Sequence, residues 1–160
     1  MKTLVLGLGN PILTDDGVGP LVAKEIQGRV DQKEVTVMET SQAGLSLLDL
    51  LAGYDKAIII DSIQTLGGKA GQIYRLDAGA LNATRHAVST HDINLATALE
   101  LGSKLGLALP KQIDIFAIEV ADTTTFSEEC TPSVREAIPV CAEMIIRELK
   151  EDFSRHARVT

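Results

Sequence analysis

The sequence holds no tryptophan, two tyrosines and three phenylalanines, so aromatics make up only 3% of its 160 residues. That scarcity excludes a binder built on aromatic anchors and a nucleic-acid module built on base-stacking platforms. Cys130 and Cys141 are too few for a disulfide framework or a four-cysteine zinc site. No apolar run approaches the roughly 18 residues of a membrane span, so no membrane association is expected. Positive charge is in deficit. Against 22 Asp and Glu there are 15 Lys and Arg, a net charge of −7 and the wrong sign for a nucleic-acid partner. The opening MKTLVLGLGNPILTDDG shows no small-residue cleavage site, so it reads as a strand and not a secretory leader, and the expected compartment is the cytoplasm.

What is present is ordinary for a globular chain, with 45% apolar and 23% charged residues. The length predicts one domain over 1–160. Short apolar runs predict strands over Thr3–Leu8, Glu34–Met38, Lys56–Ile60 and Gln112–Ile118, with Asp61 ending the third. Gln72–Leu76 alternates and follows a Gly-rich turn, so it predicts an edge or antiparallel strand. Apolar residues three and four apart predict a helix over Val18–Ile26. Leu45–Leu51 and Ile93–Leu105 are helical by composition. Thr131 as N-cap and Pro132 at the first helical position open a last helix that runs to Leu149. Pro139 should kink it, and 152–160 has the composition of a frayed polar tail. Alternating strands and helices predict an α/β fold, a three-layer sandwich around a mostly parallel sheet.

In such sheets ligands gather beyond the carboxyl ends of the strands. The polar residues expected there are Asp15 and Asp16, then Asp61, then Ser89-Thr90-His91-Asp92, then Glu119 and Asp122. Gly7 and Gly9 suggest a dinucleotide fingerprint, but its third glycine would fall at Ile12, and the acids that follow would repel a pyrophosphate. There is no phosphate-binding P-loop and no G-x-S-x-G elbow. Cys141 lies on an apolar helix face, and Cys130 stands beside Glu128 and Glu129, which disfavour a thiolate. Adjacent Asp15 and Asp16 would point apart, so one of them is expected to cap the next helix. Asp16, Asp61 and His91 remain. Carboxylate and imidazole donors suit zinc, nickel, iron or manganese, and three protein ligands leave positions open for substrate. At a helix N-terminus His91 would be held neutral. Taken singly, each has a plainer reading: a cap, a turn former and a surface residue. His86 and His156 read as surface histidines.

The segment GLGNPILTDDGVGPLVAKEI resembles the N-terminal signature of nickel–iron hydrogenase maturation endopeptidases. KAIIIDSIQTLGGKAGQI, STHDINLATALELG and CTPSVREAIP resemble the family's later blocks, in the same order and over nearly the whole chain. The resemblance implies an enzyme that removes a C-terminal extension from a hydrogenase large-subunit precursor after nickel insertion. It implies Asp16, Asp61 and His91 as the metal-contacting and catalytic residues. It also implies that the nickel arrives with the substrate and that no organic cofactor is used. Either the nickel polarises the scissile carbonyl or activates water, with Asp16 or Asp61 as base, or it serves only as a docking signal. Two stretches depart from the family pattern. Thr40-Ser41-Gln42-Ala43-Gly44 replaces a Gly-Gly-Thr-like turn, and Glu119-Val120 replaces Gln-Pro.

Two other functions use some of the same features. Peptidyl-tRNA hydrolases also open with GLGNP, but their Thr-Arg-His-Asn run belongs in that first loop, whereas here Thr84-Arg85-His86 comes later and precedes Ala87. A non-cleaving nickel-sensing scaffold for hydrogenase assembly could use the same three site residues. The sequence does not reveal an oligomeric state.

Overall fold

A computed structural model describes residues 1–42, 45–77, 87–88 and 95–159. The first strand, β1 (Thr3–Leu8), is buried at every position. It pairs in parallel with β2 (Val35–Thr40) on one side and β3 (Lys56–Thr65) on the other. Strand β6 (Gln112–Glu119) continues the sheet in parallel with β3, and β4 (Ile73–Asp77) closes the edge antiparallel to β6. The order is β2-β1-β3-β6-β4, while the short β5 (Ala87–Val88) pairs antiparallel with the end of β3.

Side-chain alternation divides the core into two layers. Val5, Ile58, Ile60 and Phe116 face α1 (Val18–Gln27) and α4 (Pro132–Val159), through residues such as Val22, Val134 and Ile145. Leu4, Leu6, Ile59 and Ile115 face α2 (Ser46–Leu51) and α3 (Leu95–Lys104), through Leu47, Leu51 and the half-buried Leu99. The result is the expected α/β fold with helices on both faces of a mostly parallel sheet. Because α1 leaves β1 on one face and α2 enters β3 on the other, the sheet changes winding direction between β1 and β3. A crevice forms at such a point, at the carboxyl ends of the strands.

A glycine pair sets how closely α1 approaches that crevice. A Cβ on Gly19 would lie 2.4 Å from the Leu8 carbonyl oxygen and 2.5 Å from that of Ile60. One on Gly7 would lie 2.5 Å from the Gly19 carbonyl oxygen. Only the bare backbone lets the helix start this near the strand ends.

Two sequence expectations are corrected. Strand β3 does not stop at Ile60 but runs to Thr65, so Asp61 lies within the strand. Its pairing with β6 continues to Ile63↔Glu119 and satisfies the backbone there. Nor is 152–159 a frayed tail, since α4 extends to Val159. Asp152 forms an ion pair of 2.5 Å with the buried Lys56, and Phe153 packs against the core. Pro139 lies on the exposed side of α4 and does not divide it. Among the described residues no helix is long and apolar enough to cross a membrane.

Candidate active site

The loop after β1 folds back on itself to present two acids. Gly9 has φ of 150°, and a Cβ there would lie 1.9 Å from the Asp16 carbonyl oxygen. Thr14 opens the 3-10 turn Thr14–Gly17 with φ of 51°, a left-handed conformation unusual for a β-branched residue. It is held there by its hydroxyl, which donates to the Thr125 carbonyl, and by its N–H, which donates to the Ser127 carbonyl at 2.9 Å. Strain of this kind persists where surrounding structure over-determines the backbone.

Asp15 and Asp16 are both buried, and their carboxylates do different things. That of Asp15 accepts from the N–H groups of Ala121 and Asp122, each at 3.0 Å, and from the Thr131 N–H at 2.7 Å. The Thr131 hydroxyl also donates to it. Asp15 therefore ties the first loop to the start of α4. One of the two acids does serve a helix N-terminus, but that of α4 and not of the helix that follows it. Thr131, the residue expected to cap α4, is thereby joined to the first loop.

The Asp16 carboxylate turns the other way. Its Oδ2 accepts from the Asn10 N–H at 2.9 Å, and its Oδ1 accepts from the Ser62 hydroxyl at 3.3 Å. The Ser62 N–H donates to Asp61 Oδ1 at 2.8 Å. Ser62 thus links the two candidate carboxylates, Asp16 through its side chain and Asp61 through its backbone. Asp61 and Ser62 are buried, and both lie just past the last β1–β3 pair, Gly7↔Ile60, where the sheet opens. Sequence reasoning did not single out Asn10 or Ser62. The signal for both was their position, one just after β1 and the other just after Asp61.

The remaining candidates fare differently. His91, with Ser89, Thr90 and Asp92, lies outside the described residues, as does His86. Among the described residues no group of three or more His, Cys, Asp or Glu is arranged to hold a metal ion. Glu119 is buried and accepts from the Thr65 N–H at 2.8 Å, from the Thr65 hydroxyl, and from the Tyr74 hydroxyl at 3.2 Å. Asp122 organises its own loop, accepting from the N–H groups of Thr124 and Thr125 at 3.0 Å each. Hydrogen bonds from Thr125, side chain and then backbone, hold its carboxyl below the usual range. His156 is exposed on α4.

Both cysteines sit in surroundings that make a poor nucleophile. Burial, with a smaller push from Asp15, raises the Cys130 thiol to about 11 against a partial offset from Arg135. Burial alone raises Cys141 to about 12. The sequence argument for Cys130 relied on Glu128 and Glu129, whereas the structure assigns the effect to desolvation and Asp15. Both thiols are almost wholly protonated near neutrality.

A family model described as hydrogenase maturation protease matches residues 20–148. The chain belongs to the hydrogenase maturation protease family. It is 27% identical over 153 residues to the hydrogenase 2 maturation protease of Escherichia coli K12, covering 94% of this chain and 92% of that one. A hydrogenase expression/formation protein, HupD, of Bradyrhizobium diazoefficiens is 25% identical over 94% of this chain and 79% of its own. Among solved structures, the hydrogenase maturating endopeptidase HybD of E. coli superposes with a TM-score of 0.82 at 26% identity, covering 95% of this chain and 94% of that one. The maturation protease HycI of Thermococcus kodakarensis gives 0.72 at 26% identity, covering 93% and 92%. As a hydrogenase maturation protease this chain is a peptidase. The family match begins at Pro20, just after Asp16, and the longer alignments to individual relatives extend over most of the chain.

Proposed function

We propose that this protease removes the C-terminal extension of a nickel-loaded hydrogenase large-subunit precursor, with Asp16, Asp61 and His91 contacting the substrate's nickel. The observation that carries the reading is the junction at Ser62, where two buried carboxylates meet at the winding switch of the sheet. Carboxylate oxygens and a neutral imidazole form a donor set for a divalent first-row metal. Asn10 and Ser62 hold the carboxylates in place before the substrate arrives, so little reorganisation is needed on encounter.

Peptide hydrolysis here uses water as the nucleophile, a choice supported by the two protonated thiols. Asp16 or Asp61 accepts a proton as water adds to the scissile carbonyl carbon. That proton then passes to the departing amine as the C–N bond breaks. Two free, buried cysteines suit a reducing compartment, in keeping with the cytoplasm.

The test is incubation of the purified chain with its nickel-loaded and nickel-free precursor, followed by mass spectrometry. Only the loaded precursor should lose mass. Asp16→Ala, Asp61→Ala and His91→Ala should each stop the loss while leaving the circular dichroism spectrum unchanged. A loaded precursor that stays intact but co-elutes with the chain would favour the scaffold reading. Normal processing by all three variants would refute the site.

A further inference from the structure

Phe126 is 79% exposed and Ile12 is 48% exposed. The two are neighbours through backbone pairing. Leu13 and Ser127 form a parallel bridge, with the Ser127 N–H donating to the Ile12 carbonyl at 3.0 Å and the Thr14 N–H to the Ser127 carbonyl at 2.9 Å. Because the Ser127 N–H that directly follows Phe126 donates to the Ile12 carbonyl, the backbones of Ile12 and Phe126 lie side by side.

The loop that carries Phe126 is fastened at several points. The Asp15 N–H donates to the Asp122 carbonyl at 2.9 Å, and the Asp15 carboxylate binds both Ala121 and Thr131. Asp122 closes the turn onto Thr124 and Thr125, and the Thr14 hydroxyl reaches the Thr125 carbonyl. Phe126 is thus an apolar ring held out to water on a fastened loop, one of only three phenylalanines in the chain. Ile12 is four residues before Asp16, a span of at most about 14 Å. Ile12 is therefore within reach of a polypeptide bound at Asp16.

We propose that Ile12 and Phe126 are specificity-determining residues that grip an apolar side chain of the large-subunit precursor beside the cleaved bond. The inference rests on the function proposed above. It commits to the precursor as occupant because Ile12 shares a loop with Asp16 and the Phe126 loop is fastened to that loop through Asp15.

The test measures steady-state cleavage of the nickel-loaded precursor by wild type, Ile12→Ala, Phe126→Ala, the double variant and Leu105→Ala. Leu105 is 66% exposed and follows α3, away from this loop, so it serves as an equally apolar control. The double variant should raise KM tenfold or more with kcat within twofold, and Leu105→Ala should match wild type. Thermal midpoints should agree across the set, as expected for exposed side chains. In parallel, the inactive Asp16→Asn chain should bind the precursor at least tenfold more weakly once both alanines are added. Unchanged KM and unchanged binding in the double variant, with wild type cleaving normally, would overturn the subsite alone. Loss of kcat at constant KM would also overturn it. A wild-type chain that leaves the loaded precursor intact would instead overturn the functional reading on which the subsite depends.

Discussion

The carboxylate of Asp15 accepts hydrogen bonds from both the backbone N–H and the hydroxyl of Thr131, 116 residues further along the chain. That contact fastens the first loop to the start of α4, beside Asp16, the acid of the proposed site. Asp15→Ala removes the acceptor shared by the part-buried N–H groups of Ala121, Asp122 and Thr131. It should cost about 1–3 kcal/mol, since water can reach some of these donors. Urea titration should show a lower midpoint at unchanged slope. Asp15→Asn, which keeps one acceptor oxygen, should cost less.

Asp16 is expected to behave in the opposite way. Asp16→Asn keeps an oxygen for the Asn10 N–H but loses the negative charge. Stability should change little, while precursor processing falls by roughly a hundredfold or more, the usual scale for losing an acid–base group. Single-turnover cleavage alongside a thermal melt separates the two effects.

Gly19→Ala tests the close approach of α1. The new methyl would press on two backbone carbonyls, those of Leu8 and Ile60, which cannot swing aside as a side chain can. The expected loss is toward the upper end of the ~1–3 kcal/mol typical of overpacking. At Gly28 nothing lies within 4 Å of an added Cβ, so Gly28→Ala should be close to neutral. Paired urea titrations should give this contrast.

The cysteines predict a pH dependence. Their folded values, about 11 and about 12, lie above the ordinary 9.0. The fold therefore favours the protonated thiols, a contribution complete below pH 9 and lost as pH rises through 11 and 12. At pH 8 about one Cys130 thiol in a thousand is ionised, so iodoacetamide should leave the native chain unmodified and label both cysteines in urea. Unfolding free energy should decline above pH 9, and Cys141→Ala should flatten that decline.

Lys56 is buried among acids at the opposite end of the sheet. It pairs with Asp152 at 2.5 Å, Asp114 at 3.5 Å and Glu148 at 3.7 Å, and Arg75 shares the last two acids. Lys56→Met leaves buried carboxylates without their central cation and should cost about 3–5 kcal/mol. Below its lowered melting temperature the variant should still process precursor, because the cluster lies at the amino-terminal end of β3 and the proposed site at the carboxyl end.

Much of the architecture was legible because each strand carries its own signal. Thr3–Leu8 is apolar throughout, which a strand buried on both faces requires, and it matches β1 residue for residue. Gln72–Leu76 alternates, as an edge strand does, and β4 is the antiparallel edge within a residue of that span. Reading failed where the partner is distant. Residues 152–159 look like a polar tail until Lys56, 96 positions away, is seen to pair with Asp152. Asp61 looks like the end of a strand because a carboxylate usually leaves the core, yet pairing with β6 carries it through the sheet.

The sequence by itself determined the fold class, the order of the elements and a short set of acids near the strand ends. Periodicity and turn residues act over a few positions, and a single chain displays them directly. Tertiary structure decided which acid does what. Asp15 and Asp16 are identical in kind and adjacent, so no local pattern separates them. One is turned toward Thr131 and the other toward Asn10 and Ser62 by contacts that form only when loops far apart in sequence pack together. A carboxylate's role is set by the donors around it, and those donors come from the fold.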